Sequence, residues 1–154
     1  EWTYLTNKEA KEFIDAYFDL YPEIKHFMDQ TVEFAKEHGY VVTLSNRRRY
    51  IPELKSPVYM QREFGKRTAM NAPIQGSAAD IIKIAMINID KEMVRNNLKS
   101  KMVFQVHDEL VFEVLDEEKE ILERIVTEEM EFAFKLNVPL EVDFGFGKNW
   151  MEVK

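Results

Sequence analysis

From Ile74 to Met93 the apolar residues fall at Ala78, Ile81, Ile82, Ala85, Met86, Ile89 and Met93, with polar or charged side chains between them. Steps of three and four place these positions on one face of an α-helix. The pattern therefore predicts the best-defined helix of the chain, with that stripe turned toward a core. A stripe this long needs a covering surface, and the sequence that follows can supply one. Met102-Val-Phe-Gln-Val106 and Leu110-Val-Phe-Glu-Val114 are β-forming runs separated only by His107-Asp108-Glu109. Glu117 to Phe134 reads as an acidic amphipathic helix with Ile121, Leu122, Ile125, Val126 and Met130 inward, and Leu140-Glu-Val-Asp-Phe144 alternates as a last strand.

Upstream, Thr6 or Asn7 is placed to cap a helix carrying Phe13, Ile14, Tyr17, Phe18 and Tyr21 on one side. Pro22 opens a second helix with Ile24, Phe27, Met28, Val32 and Ala35, and Gly39 ends it. Tyr40-Val-Val-Thr-Leu44 and Tyr50-Ile51 flank Ser45-Asn-Arg-Arg-Arg49, a short hairpin with a basic tip. Pro52 and Pro57 bracket an irregular link, and a helical pattern resumes near Tyr59. Pro73 either starts a new helix or kinks a continuous one. Helices first, then strand, strand, helix and strand, make an α+β fold in which helices cover a small antiparallel sheet.

The 154 residues contain no cysteine, which excludes disulfides, thiolate nucleophiles and cysteine-ligated zinc and suits a reducing cytoplasm. No apolar run approaches the roughly 20 residues that span a bilayer, so no membrane partner is expected. The formal net charge of −7 argues at first against a polyanionic partner. By segment the sum conceals a pattern. Residues 1–46 carry 4 basic and 9 acidic side chains, residues 47–101 carry 12 and 5, and residues 102–154 carry 5 and 14. The middle third is thus +7 between stretches of −5 and −9. Phosphate recognition depends on such regional charge rather than on the total. A solvated helical surface with ordinary charge fluctuation accounts for the same numbers.

Tight hairpin turns ask for Gly or Asn, and His107-Asp108-Glu109 has neither. At a hairpin tip the pleat is broken, so Asp108 and Glu109 can both reach one locus. Two carboxylates there suit a hard cation such as Mg²⁺, which takes one or two protein carboxylates together with substrate phosphates. A polar surface turn is the plainer alternative, and it leaves the repulsion between two adjacent acids unexplained. His26, His38 and His107 are too scattered for a zinc cluster, and neither a glycine-rich phosphate loop nor a serine-nucleophile signature is present.

Arg67, Asn71 and Gln75 recur every four residues and share one helix face, provided Pro73 does not break the helix. All three are donors suited to the acceptors of the DNA minor groove, where A·T and T·A offer the same pattern and readout is nearly blind to sequence. Ordinary helix-surface polarity is the competing reading. Arg47, Arg48 and Arg49 are the expected phosphate-facing group, with Arg62 and Lys66 adding to the same basic region.

Two long motifs, Arg67-Thr-Ala-Met-Asn71-Ala-Pro-Ile-Gln75-Gly-Ser-Ala-Ala-Asp80-Ile-Ile-Lys and Gln105-Val-His107-Asp108-Glu109-Leu, occur in this order. With Gly39-Tyr-Val-Val-Thr-Leu, Arg47-Arg-Arg-Tyr and Gly145-Phe-Gly-Lys-Asn-Trp150, they resemble the C-terminal part of family A DNA polymerases, from about Lys8 to Lys154. The resemblance implies distal fingers over residues 1–66 and the C-terminal palm over residues 67–154. It further implies that Asp108, with Glu109 beside it, is a metal-binding catalytic aspartate. His107 and Gln105 would line the primer terminus, and Arg67, Asn71 and Gln75 would contact the template–primer minor groove. The implied reaction is attack of a primer 3′-hydroxyl on the α-phosphate of a dNTP, assisted by two Mg²⁺ ions. The implied setting is the cytoplasm, at the nucleoid.

The departures from the family pattern are specific. The upstream strand with the first metal-binding aspartate and the fingers helix that grips the nucleotide are not among these 154 residues. Glu1-Trp-Thr-Tyr-Leu-Thr6 does not fit the family stretch, and Asn46 stands where the family commonly has Gly. The expectation is a partial active site, inactive alone and working with an N-terminal polymerase portion in the same or a separate chain. A non-catalytic DNA-binding or scaffold remnant is the alternative. An unrelated metal-dependent hydrolase using Asp108 and Glu109 would need a third ligand, and none is evident.

Overall fold

Local signals set the first elements. In the computed structural model, which describes residues 6–153, the Thr6 hydroxyl accepts the Glu9 N–H at 3.3 Å while the Glu9 carboxylate accepts the Thr6 N–H at 2.8 Å. This reciprocal capping box starts helix α1, Asn7–Leu20. Pro22, with its ring-fixed φ, starts α2, Pro22–His38, and Gly39 closes it in the left-handed region at φ 81°. The misfit with the family pattern noted for Glu1 to Leu5 lies outside the described residues.

The described residues form two compact units, the first ending at Ile74 and the second beginning at Gln75. In the first, β1 (Tyr40–Val42) pairs antiparallel with β2 (Arg48–Tyr50) in the register Tyr40↔Tyr50, Val41↔Arg49 and Val42↔Arg48. The connecting turn is tied by Thr43 N–H to Arg47 O at 3.0 Å and Asn46 N–H to Thr43 O at 2.9 Å. Only Arg47 of the three arginines belongs to this turn. The expected basic tip is corrected accordingly: Arg48 and Arg49 are strand residues, because pairing with Val42 and Val41 draws them into the ladder. Val41 and Ile51 are buried with Val32, Ala35 and Ala69, which forms this unit's core. Helix α1 contributes no buried side chain, and its Phe13 and Leu20 are about seven-tenths exposed, at 72% and 70%.

Helix α3 runs from Tyr59 to Arg95 with Pro73 inside it. Proline lacks the N–H that would bond to residue 69 and costs a helix interior about 3 kcal/mol, yet helical turns continue on both sides. Buried positions flank it, Ala69 before and Ser77 and Ile82 after, so packing of the helix outweighs the local loss. Of the two outcomes open at Pro73, the continuous helix is found. The apolar stripe buries less than expected: Ile74 and Ala78 are exposed, and burial of the stripe sets in at Ile82.

In the second unit β3 (Lys101–Val106) pairs antiparallel with β4 (Glu109–Glu113), and a 3₁₀ turn at Asp116–Glu118 leads into α4, Lys119–Glu131. Ala85, Ile89 and Met93 of α3 pack with Leu122, Ile125 and Val126 of α4, as the stripes predict, and Met102, Leu110 and Phe112 cover them. The helix expected over Glu117 to Phe134 is shorter because Glu118 turns its carboxylate away. It accepts the backbone N–H groups of Lys99 and Ser100, each at 2.8 Å. Ser100, the main cause, and these N–H groups hold its pKa below the ordinary value for Glu. The expected last strand is also corrected. Leu140, Val142 and Phe144 are half-buried and alternate with exposed Glu141 and Asp143, but among the described residues the segment has no ladder partner. Its alternation records one covered face, with Phe144 against the core, rather than pairing.

Candidate active site

The β3–β4 connection is as short as an antiparallel pair permits. Val106 pairs with Glu109, which leaves His107 and Asp108 as the two turn residues. Such a turn requires positive φ at its first central position when it is of the II′ kind, a requirement Gly normally meets. His107 meets it instead at φ 54°, a conformation that non-glycine residues adopt at a cost. The Gln105 side-chain amide donates to the His107 carbonyl and so braces the turn.

Register determines where the side chains of β3 go. Met102 opposes Phe112 but Phe104 opposes Val111, so Val103 is an extra, bulged residue. Beyond the bulge, Gln105 shares a face with Leu110, while Phe104 and Val106 share the opposite face with Val111 and Glu109. Phe104 meets the Trp150 ring edge-on, 5.6 Å between centroids.

The turn therefore brings Gln105, His107, Asp108 and Glu109 to one hairpin tip, all exposed to solvent. Among the described residues neither the Asp108 nor the Glu109 carboxylate has a salt bridge, in contrast to Asp116, which pairs with Lys119 at 2.7 Å. Among the described residues no three His, Cys, Asp or Glu side chains converge as a metal cluster. Two adjacent, unpaired carboxylates with open solvent around them fit a hard cation that completes its shell with water or phosphate oxygens. They do not fit a closed zinc site, which needs four protein donors.

Arg67 and Asn71, four residues apart in the first unit, share one exposed face of α3, and Gln75, at the start of the second unit, is exposed as well. Arg47, Arg48 and Arg49 are exposed on the β1–β2 hairpin. The wider basic region is less available than the sequence suggests. Lys66 is held by Glu63 at 2.6 Å, and the Arg62 guanidinium donates to the carbonyls of Ser56 and Pro57 at 3.0 and 2.8 Å. Both form local ties that orient the start of α3. Hydrogen bonding from Lys66, with the charges of Lys66, Arg67 and Arg62 adding, keeps Glu63 below the usual carboxylate range. Arg48, Arg49 and Arg67 form no salt bridge among the described residues and remain the available cations. No helix among the described residues is long and apolar enough to cross a membrane.

Comparison with known proteins gives the family. The model of DNA polymerase family A matches residues 2–152, and the chain belongs to that family. The match takes in residues 2–7, which the motifs alone left outside the resemblance. The chain is 52% identical over 150 residues to DNA polymerase I of Caldicellulosiruptor bescii and 53% identical over 150 residues to that of Bacillus subtilis. Each comparison covers 97% of this chain but only 18% and 17%, respectively, of the relative's length. The POL domain of Pol1 from M. smegmatis, solved in complex with DNA primer-template and dNTP, superposes with a TM-score of 0.93 at 46% identity. That superposition covers 96% of this chain and 26% of the solved one.

Proposed function

We propose that this chain supplies part of the active site of a DNA-directed DNA polymerase, which transfers a nucleotide from a dNTP to a primer 3′-hydroxyl. The observation that carries the reading is the His107-Asp108 turn, which pays backbone strain to present two neighbouring carboxylates with no salt-bridge partner among the described residues. Family membership supports it, as does the solved relative's complex with primer-template and dNTP.

In this reading Asp108 and Glu109 hold Mg²⁺, two ions being bound in the complete enzyme. When bound, the metal supplies positive charge for the reacting phosphate. Gln105 fixes the turn and, with His107, lines the primer terminus. Arg67, Asn71 and Gln75 donate to minor-groove acceptors that every base pair offers, which holds the duplex in register without selecting sequence. Positioning then does most of the catalytic work. Residues 1–66 correspond to distal fingers and residues 67–154 to the C-terminal palm, and the remaining polymerase segments belong to the longer relatives' additional length.

Template-directed primer extension tests this. The 154-residue chain alone is expected to add no nucleotide, and supplementing it with the N-terminal polymerase portion of a family A relative is expected to restore synthesis. Asp108→Ala should lower the restored rate by at least about a thousandfold, the loss of several kcal/mol of charge stabilisation. Restored synthesis that ignores this substitution would remove Asp108 from the metal role.

A further inference from the structure

The solvent-facing side of the β1–β2 hairpin carries more than arginines. Tyr40 and Tyr50 are direct cross-strand partners, their rings meeting edge to face at 5.7 Å, and Arg48 lies on the same side with its guanidinium 4.6 Å from the Tyr40 ring centre. The last turns of α2 extend this surface. Phe34 and His38, four residues apart, stack at 4.1 Å with only 16° between their planes, and both approach the Tyr40 ring, at 5.7 and 6.1 Å. The opposite side of the hairpin carries buried Val41 and Ile51, so core formation explains that face and not this one. A row of rings serving only as a lid would be covered. Tyr50 is instead 65% exposed and Phe34 38% exposed.

The charge beside the rings is positive. Arg48, on the face of the two tyrosines, has no acidic partner among the described residues, and the Glu37 carboxylate lies 4.0 Å from His38. Exposed aromatic faces alternating with unneutralised guanidinium groups are what unpaired nucleotides require: the rings stack on bases of any sequence and the cations meet the phosphates. A duplex keeps its bases stacked on one another and cannot use such rings.

We infer that the face formed by Tyr50, Tyr40, Arg48, Phe34 and His38 binds single-stranded DNA by stacking its unpaired bases. The inference rests on the polymerase reading, in which an unpaired template strand accompanies the primer duplex, and it assigns the hairpin a role in holding bases as well as phosphates.

Fluorescence anisotropy on the 154-residue chain tests it, with three labelled probes: a 15-nucleotide oligo-dT, an abasic strand of equal length, and a blunt duplex. The thymine strand is expected to bind about tenfold more tightly than the abasic one, the value of one stacked base. Tyr50→Ala should erase that preference, Tyr50→Phe should keep it, and Arg48→Ala should weaken both single strands. Circular dichroism of each variant separates loss of binding from loss of fold, and Tyr50→Phe tests the ring even where Tyr50→Ala unfolds. Equal affinity for thymine and abasic strands, or a preference that survives Tyr50→Ala in a folded protein, overturns the stacking surface. If duplex binding persists in that case, the polymerase reading stands. Failure to bind any of the three probes overturns both.

Discussion

The side-chain amide of Gln105 donates a hydrogen bond to the main-chain carbonyl of His107. Local bracing of this kind is what a strained turn needs, since His107 sits at φ 54° where Gly is preferred. Replacing His107 by Gly should change stability by less than about 1 kcal/mol, relief of strain offsetting the entropy gained by the unfolded chain. A β-branched residue tolerates this region poorly, so His107→Val should destabilise by about 1–3 kcal/mol. Urea unfolding of the two variants gives the comparison, and equal stability would dismiss the strain.

The second unit is expected to lose stability in acid through Glu118. Its folded pKa is lowered by Ser100 and by the N–H groups of Lys99 and Ser100. A lowered carboxylate stabilises the fold fully above its ordinary value near 4.5 and loses that contribution as pH falls through the folded value. Asp116, held low by Lys119, acts in the same direction. Melting temperature measured from pH 7 down to pH 3 should therefore fall at the acid end, and Glu118→Gln should flatten that fall while lowering stability at pH 7. An unchanged acid limb in the variant would mean that the loop hydrogen bonds do not depend on charge.

Leu122 is completely buried at the centre of the second core, against α3. Leu122→Ala should cost about 2–5 kcal/mol, the lost transfer energy together with the cavity. The denaturant midpoint should drop with little change in slope, and a cost below about 1 kcal/mol would mean the core collapses into the space.

Arg49 offers a cleaner electrostatic test than the ring-associated Arg48. If it meets a phosphate, Arg49→Ala should weaken DNA binding at low salt. The slope of log affinity against log salt should become shallower by about 0.9, one contact's worth of released counterion. Titrations between low and physiological salt measure this, and an unchanged slope would make Arg49 a solubility residue.

Much of this was readable in the residues, where periodicity and capping chemistry agree. Leu122, Ile125 and Val126 were placed inward from spacing alone, and Thr6, Pro22 and Gly39 mark their helix boundaries because each solves a terminal hydrogen-bond or φ problem locally. Asn46 is similar. It adopts φ 60°, which Asn tolerates better than most residues and which suits a position where the resemblance leads one to expect Gly. What escaped depends on partners distant in sequence. Alternation at Leu140 to Phe144 looks the same with or without a neighbouring strand. Glu118 reads as one more acid on an acidic helix until the N–H groups of Lys99 and Ser100 arrive from 19 and 18 residues away. The carboxylates of Asp108 and Glu109 were legible because they break turn chemistry. The aromatic row was not, since Phe34, His38, Tyr40 and Tyr50 converge only when α2 folds against the hairpin.

The bulge at Val103 gives β3 one residue more than its partner strand needs. Removing that residue would leave Met102 opposite Phe112, Phe104 opposite Val111 and Gln105 opposite Leu110, so the ladder becomes regular with every side chain on its present face. Gln105 would keep its place beside the His107 carbonyl, and Met102 its place on the core. Val103, itself 55% exposed, is thus the one position of β3 whose loss the hairpin is built to absorb.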